Sequence, residues 1–289
     1  MIPATFDYRP VQSVEEAIAL LQQHGDEAKI LAGGQSLIPT MKFRLAQPGV
    51  LVDLGRIPGL SYIRKENGAV AIGAMTTYTA LERSDLLRQH FAIILDALSV
   101  LADRQVRNRG TLGGSMAHAD PAADLTAVVL ALKGTFVAEG PGGTRTIAAD
   151  DFFVETFATA LQPDEIITEI RLPLSSAHTG SAYLKLENKA SHYAIVGCAA
   201  VIMFGADGTC SSANIAITGA STKPTRARAV EAALASKKLD ETTLADAASH
   251  AAEGLELVGD IHGSQAYRGQ MCTIMTRRAI MKAAGRAYA

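Results

Sequence analysis

The chain has 289 residues, enough for two or three domains, and 48% of them are hydrophobic, so a large core is available. A net charge of −2, a pI near 6.4, an aromatic content of 5% and no Trp exclude both a global basic field and a base-stacking platform for nucleic acid. The cysteines Cys198, Cys210 and Cys272 are widely spaced; they supply neither a C-x-x-C zinc site nor the thiolates of an iron–sulfur cluster, and they read as reduced and structural.

The opening Met-Ile-Pro-Ala-Thr-Phe-Asp lacks a basic region followed by an apolar core, so no signal peptide is expected. The longest apolar run, Ala194 to Phe204, is too short to span a bilayer. A soluble, cytoplasmic protein is expected, reaching the inner face of the membrane only through partners.

The elements begin with a small βαβ unit. Phe6 to Arg9 is a short strand, and Ser13 with Glu16 makes a capping box ahead of an amphipathic helix that Gly25 stops. Lys29 to Leu31 is a strand running into Ala32-Gly-Gly-Gln-Ser36, and Val50 to Leu54 is a second strand. A hairpin turns at Asn67-Gly68 between Tyr62–Glu66 and Ala69–Ile72. Helices are expected over Thr77–Ser84 and Asp85–Leu101, then a second glycine loop over 110–115, then a buried helix over Ala122–Leu132 behind Asp120-Pro121. Gly134–Ala138 and Thr144–Ile147 form another hairpin, and Glu165–Leu172 is a strand that ends at Pro173.

Leu174 to Gly180 is polar and small and reads as a linker. Beyond it the pattern predicts strands at Ala182–Leu186, Tyr193–Phe204 and Ala213–Gly219, joined into an antiparallel sheet. Helices follow near 225–236, 241–258 and 265–284.

Two glycine pairs carry the chemistry. Gly33-Gly34 and Gly113-Gly114 lie about eighty residues apart, each with a hydroxyl residue close by. Paired glycines let backbone N–H groups approach an anion without a Cβ in the way, so two such segments are suited to gripping a pyrophosphate. Neither is a P-loop or a G-x-G-x-x-G fingerprint. For either pair alone the competing reading is a tight turn.

Longer motifs resolve this. Phe6-Asp-Tyr-Arg-Pro10, Ala32-Gly-Gly-Gln-Ser-Leu-Ile-Pro-Thr-Met-Lys-Phe-Arg44, Gln105-Val-Arg-Asn-Arg-Gly-Thr-Leu-Gly-Gly-Ser-Met-Ala-His-Ala-Asp-Pro-Ala-Ala-Asp124, Asp164-Glu-Ile-Ile167 and Tyr183-Leu-Lys185 span essentially the whole chain. Together they resemble the FAD-binding medium subunit of the molybdenum hydroxylases, the group of aerobic carbon monoxide dehydrogenase and xanthine dehydrogenase.

The resemblance implies an α+β chain. A vanillyl-alcohol-oxidase-like (PCMH-type) FAD-binding domain would cover 1–175, as two α/β subdomains at about 1–55 and 56–175. A carbon monoxide dehydrogenase-type C-terminal domain over 176–289 would hold the three-stranded sheet and its helices. It also implies the FAD contacts. The segment Lys29, Ile30, Leu31, Ala32, Gly33, Gly34, Gln35, Ser36 and Leu37 would wrap the pyrophosphate. Thr111, Gly114 and Ser115 would hold it from the other subdomain, with Gly110, Ala117 and His118 also at the cofactor. Leu101 and Ala102 would pack near the flavin or the adenosine end, and Leu161 on the adenine side. Asp124 would accept hydrogen bonds from the polar middle of FAD, Lys185 would lie near the isoalloxazine, and Tyr193 beside the ring.

Bland alternatives stand beside these roles. Asp124 also suits a helix N-terminus, Lys185 an exposed edge strand, and Tyr193 a core or an interface. His118 with Asp120 completes no metal site, and His118 reads as structural or a ligand contact rather than a base. Arg104, Arg107 and Arg109 form a basic cluster, suited to a solvated face, to charge balance for the phosphates or to docking. The sequence departs from the family at Gln35, where carbon monoxide dehydrogenases carry His, and at Ser115, where many relatives carry Asn.

By the same resemblance, substrate reacts at a molybdopterin cofactor in a large subunit, and electrons cross 2Fe–2S clusters of a small subunit to FAD in this one. An external acceptor (quinone, oxygen or NAD) then takes them. A dimer of heterotrimers is expected, with no metal and no catalytic residue in this chain. The alternatives are a self-sufficient flavin oxidase or reductase, and a scaffold that kept the fold without the cofactor.

Overall fold

The computed structural model describes residues 1–288. The first unit comprises β1 (Asp7–Pro10), α1 (Val14–His24), β2 (Ala28–Leu31), α2 (Leu37–Lys42) and β3 (Val50–Asp53). Its strands lie in the order β1-β3-β2, both pairs parallel, as a βαβ unit requires. Ser13 caps α1 by accepting from the Glu16 N–H at 3.2 Å. The Glu16 carboxylate reaches back one residue further than a capping box prescribes, to the Gln12 N–H at 2.8 Å. Val14, Ala17 and Leu21 then face Val50, Val52 and Leu54. Gly25 ends the helix at φ 51°.

The second unit opens with the hairpin β4 (Ile63–Glu66) and β5 (Ala69–Gly73), whose turn residues Asn67 and Gly68 have φ 49° and 76°, the signature of a type I′ turn. Then come α3 (Tyr78–Arg83), α4 (Asp85–His90), α5 (Ala92–Val100), α6 (Arg104–Arg109), α7 (Leu112–His118) and α8 (Asp124–Ala131). After them lie β6 (Thr135–Gly140), β7 (Gly143–Ala148), α9 (Ala149–Phe152), β8 (Phe153–Glu155), β9 (Ala158–Thr159) and β10 (Ile166–Pro173). The antiparallel sheet runs β4-β5-β10-β6-β7. Every residue of α8 is buried, as expected of a helix apolar all round.

Two expectations are corrected here. The single helix over 85–101 is two, broken at Phe91, whose backbone turns to φ −137° and ψ 67° while its ring is fully buried. The second glycine segment is not a loop: Gly113 and Gly114 lie in the first turn of α7, capped by Thr111, whose hydroxyl accepts from the Gly114 N–H at 3.2 Å.

The third unit holds β11 (Thr179–Glu187), β12 (Ala194–Phe204), β13 (Cys210–Thr218), β14 (Thr225–Arg226), α10 (Arg228–Leu234), α11 (Glu241–Ser249) and α12 (Gln265–Arg286). The expected three antiparallel strands gain a short fourth, β14, from residues expected to start a helix. Arg226 explains it: its side chain is buried and bonds Glu231 at 2.6 Å and Asn214 at 2.8 Å, which fixes that residue beside β13. The central strand β12 is covered on both faces. Val196, Cys198, Ala200 and Ile202 meet the three helices, while Ala199 and Val201 join the core of the second unit. Burial of both faces explains its unbroken apolar run. All three cysteines are free and buried. Among the described residues no helix is long and apolar enough to cross a membrane.

Candidate cofactor site

The two glycine segments meet. A Cβ on Gly33 would lie 2.2 Å from the Arg109 carbonyl oxygen and 2.8 Å from Gly110 Cα, so only glycine permits this approach. A Cβ on Gly114 would lie 2.8 Å from the Thr111 hydroxyl and 3.4 Å from Ala32 Cβ. Gly110 in turn leaves room for the Tyr78 ring, 2.5 Å from where its Cβ would stand. The segment after β2 and the turn from α6 into α7 thus form one contiguous edge between the first and second units.

That edge carries unsatisfied donors. Among the described residues, the N–H groups of Gly33, Gly34, Gln35 and Ser36 donate to no acceptor within the chain, although all four residues are at least partly exposed. Gly34 has φ 73°, the left-handed backbone from which anion-binding turns are built. Lys29 is exposed, and Ile30, Leu31, Ala32 and Leu37 are half-buried. Four neutral donors in succession on glycine-rich backbone fit a pyrophosphate.

A second group of expected residues gathers around Asp124, the first residue of α8. Its carboxylate is buried; one oxygen accepts from the Tyr183 hydroxyl at 2.6 Å and the other from the Lys185 ammonium at 3.0 Å. Burial pushes the Asp124 carboxyl up to about 6, and Lys185 and Tyr183 oppose that rise. Lys185 also donates to the Val100 carbonyl and the His192 carbonyl, both at 2.7 Å, and its side chain is 0% exposed. All three of its N–H donors are therefore held by protein atoms. Lys185 is neither an exposed edge lysine nor a free donor: it anchors the end of α5, which leads into Leu101 and Ala102, and the turn that leads into Tyr193.

Tyr193 is 49% exposed and lies against Asp120; burial first, then Asp120, raises its phenol. Tyr78 is buried beside Ser115, and burial pushes it up to about 12. His118 closes α7 with its ring 5.0 Å from that of Phe157, Ala117 beside it is exposed, and Leu161 is half-buried against the core. Arg107 is no free cation: it donates to the Leu101 and Ala102 carbonyls at 2.9 Å and lies 3.7 Å from Glu82, whereas Arg104 and Arg109 are exposed. Among the described residues no three His, Cys, Asp or Glu side chains cluster as for a metal.

Sequence reasoning missed Tyr183, Tyr78 and Gly197. A Cβ on Gly197 would lie 2.2 Å from the Tyr183 hydroxyl, so this glycine inside an apolar strand makes room for that ring. The signal was present: a lone strand glycine marks a close approach, and Tyr183 and Lys185 share a face at spacing two.

Comparisons with known proteins agree in extent. Residues 4–175 match the FAD binding domain in molybdopterin dehydrogenase, and residues 181–283 match the CO dehydrogenase flavoprotein C-terminal domain. The chain is 41% identical to the carbon monoxide dehydrogenase medium chain of Hydrogenophaga pseudoflava, over 97% of each. It is 40% identical to the 6-hydroxypseudooxynicotine dehydrogenase complex subunit alpha of Paenarthrobacter nicotinovorans, covering 99% of this chain and 97% of that one. A chain of the solved carbon monoxide dehydrogenase from Hydrogenophaga pseudoflava superposes with a TM-score of 0.96 at 44% identity, over 100% of both.

Proposed function

The chain belongs to the FAD-binding medium subunits of the molybdenum hydroxylases, and we propose that it relays electrons from the 2Fe–2S clusters of a partner subunit, through its FAD, to an external acceptor such as a quinone, oxygen or NAD. The molybdopterin cofactor and the clusters reside on a large and a small partner. The observation that carries this reading is the joined glycine edge with its four unpaired amides.

FAD supplies chemistry that no side chain here offers, taking electrons singly and releasing them in pairs. The protein's part is to bind, orient and shield. Gly33 to Ser36 present preorganised neutral donors, which need no mobile charge and pay no rearrangement when an anion arrives. The Thr111 hydroxyl caps α7 by accepting from the Gly114 N–H, and its own O–H is left to donate to a phosphate oxygen. Lys185 holds the backbone before Leu101 and before Tyr193 at once, fixing two segments that the family resemblance sets at the cofactor, the first near the flavin or the adenosine end and the second beside the ring. Its ammonium is paired with Asp124 and all its donors are held by protein atoms, so its part is to position these segments rather than to present a free charge. No residue is needed as a nucleophile or general base.

The test is an absorption spectrum of the chain purified with its co-expressed partners, followed by acid precipitation. Flavin bands on this subunit, iron–sulfur and molybdenum signals on the co-purifying chains, and flavin released into the supernatant are expected. A flavin-bearing chain that turns over a small substrate without partners would overturn the electron-relay reading in favour of a stand-alone oxidase or reductase. A colourless chain that stays colourless in added FAD would overturn both.

A further inference from the structure

We infer that Arg107 is a positioning residue that sets the spacing between the glycine edge and the Leu101-Ala102 segment, so that one cofactor reaches both; this rests on the FAD reading above. Three successive carbonyls are each held by a cation. Val100 accepts from the Lys185 ammonium at 2.7 Å, and Leu101 and Ala102 both accept from a single Arg107 nitrogen, Nη1, at 2.9 Å. Lys185 lies on β11 and Arg107 on α6, so the segment is gripped from the third unit and from the second at once.

The guanidinium forgoes a closer ion pair to do this. Its side chain is only 17% exposed, and the Glu82 carboxylate stands 3.7 Å from Nε, beyond hydrogen-bond reach. Among the described residues the buried Nε–H has no acceptor, a cost that calls for a reason. Ala102 shows what the orientation secures. Its φ is 43°, a left-handed backbone that a residue with a Cβ seldom adopts. Among the described residues its N–H donates to no acceptor within the chain. That N–H shares a peptide unit with the Leu101 carbonyl, so a cation on the oxygen makes it a stronger donor. Strained backbone, an orphaned donor on the clamp and a free, polarised amide together mark a segment held for a ligand.

The end of α6 makes the connection. Two residues after Arg107, the Arg109 carbonyl fills the place of a Gly33 side chain, and Gly110 leads into the Thr111 cap of α7. One six-residue helix thus fixes Leu101 and Ala102 by a side chain and the glycine edge by its backbone. The contacts that join the edge, Gly33 with Arg109 and Gly114 with Thr111, do not pass through the Arg107 side chain. Removing the guanidinium therefore frees the 101–102 segment and leaves the edge in place. A ligand confined to the edge should not sense the change; a ligand that spans both should.

The experiment takes the co-expressed complex, strips its flavin by dialysis against potassium bromide, and titrates it with FAD, using inorganic pyrophosphate as the competitor. Wild type, Arg107→Met and Arg107→Lys are compared. In Arg107→Met the FAD dissociation constant should rise at least about tenfold while the pyrophosphate inhibition constant stays within about twofold of wild type. Arg107→Lys keeps one nitrogen to do the work of Nη1 on a shorter stem, so its FAD constant should rise about threefold, again with pyrophosphate unchanged. The lysine variant carries the test where the methionine variant does not fold. Equal weakening of both ligands means that Arg107 serves the fold alone and overturns the inference. So does FAD affinity equal to wild type in Arg107→Met, or in Arg107→Lys where it alone folds. A wild-type complex that takes up no FAD, or whose FAD pyrophosphate does not displace, overturns the reading beneath it, and the wild-type titration separates that failure from a failure of the spacing.

Discussion

Gly33 and Lys185 show how single residues set this site. The Arg109 carbonyl oxygen occupies the place of a Gly33 side chain, 2.2 Å from an added Cβ, so even Gly33→Ala must part the two glycine segments. FAD occupancy in Gly33→Ala should fall at least about tenfold, some 1.4 kcal/mol, with unchanged far-ultraviolet circular dichroism. Full occupancy would show that the amides of 33–36 do not hold the cofactor. Lys185→Met acts through Asp124. Burial has already pushed that carboxyl up to about 6, and removing the ammonium pushes it higher. A raised folded-state pKa stabilises the fold below the ordinary carboxylate range, and that stabilisation is lost as pH rises through the folded value. At pH 5 Asp124 is largely protonated with or without Lys185, so the variant's deficit should be limited to the lost bonds to the Val100 and His192 carbonyls. By pH 8 it should grow to about 3 kcal/mol, the cost of a buried charge without its partner. Urea titrations at both values check this; a deficit independent of pH would mean that the pair is not what Lys185 contributes.

At the scale of elements, α5 and α12 are clamped by a carboxylate. Asp96 on α5 accepts from both Arg286 nitrogens at 2.6 and 3.0 Å, from Lys282 at 2.9 Å and from the Tyr183 N–H at 3.1 Å. Burial alone would raise this carboxyl; Arg286, Lys282 and the Tyr183 N–H outweigh it and hold it below its ordinary value. A lowered pKa contributes stability above the ordinary carboxylate range, lost as pH falls through the folded value. Asp96→Asn should therefore cost about 1–3 kcal/mol at pH 7, discounted because both cations are a third or more exposed, and the gap to wild type should narrow as pH falls below the ordinary carboxylate range. Equal stabilities at pH 7 would remove the clamp from the account. The elements themselves were legible where local chemistry marks them, at Ser13-x-x-Glu16, at Asn67-Gly68 and at the apolar run of β12. The break at Phe91 was not, because an apolar helix pattern runs through it. Nor was α7, because Gly113-Gly114 has poor helix propensity and only the Thr111 cap and the contact with Ala74 place it in a helix.

At the scale of the whole molecule, the motifs announced which residues serve the cofactor but not how they are joined. Gly33 and Arg109, or Lys185 with Val100 and Asp124, are neighbours only through tertiary structure, and no periodicity encodes contacts across sixty to eighty-five residues. The same contacts weld the third unit to the second. Tyr183, Ala199, Val201 and Ala216 complete the core around α5 and α8, and Thr218 donates to the Pro121 and Ala123 carbonyls at 2.6 and 2.9 Å, just ahead of Asp124. A sheet with one face under its own helices and the other in the second unit's core loses the burial of a whole face if that unit opens, so the two should melt together and release flavin as they do. Gly197→Ala tests this from a position that faces the buried tyrosine. Its Cβ would meet the Tyr183 hydroxyl at 2.2 Å and Thr218 Cγ2 at 2.7 Å, an overpacking worth about 1–3 kcal/mol. The midpoints for helix loss and for flavin release should fall by the same amount in this variant, since the displaced hydroxyl is the one on Asp124. Helix loss at a lower temperature with flavin release left at the wild-type midpoint would mean that the C-terminal sheet folds on its own account and that Asp124 keeps its place without Tyr183.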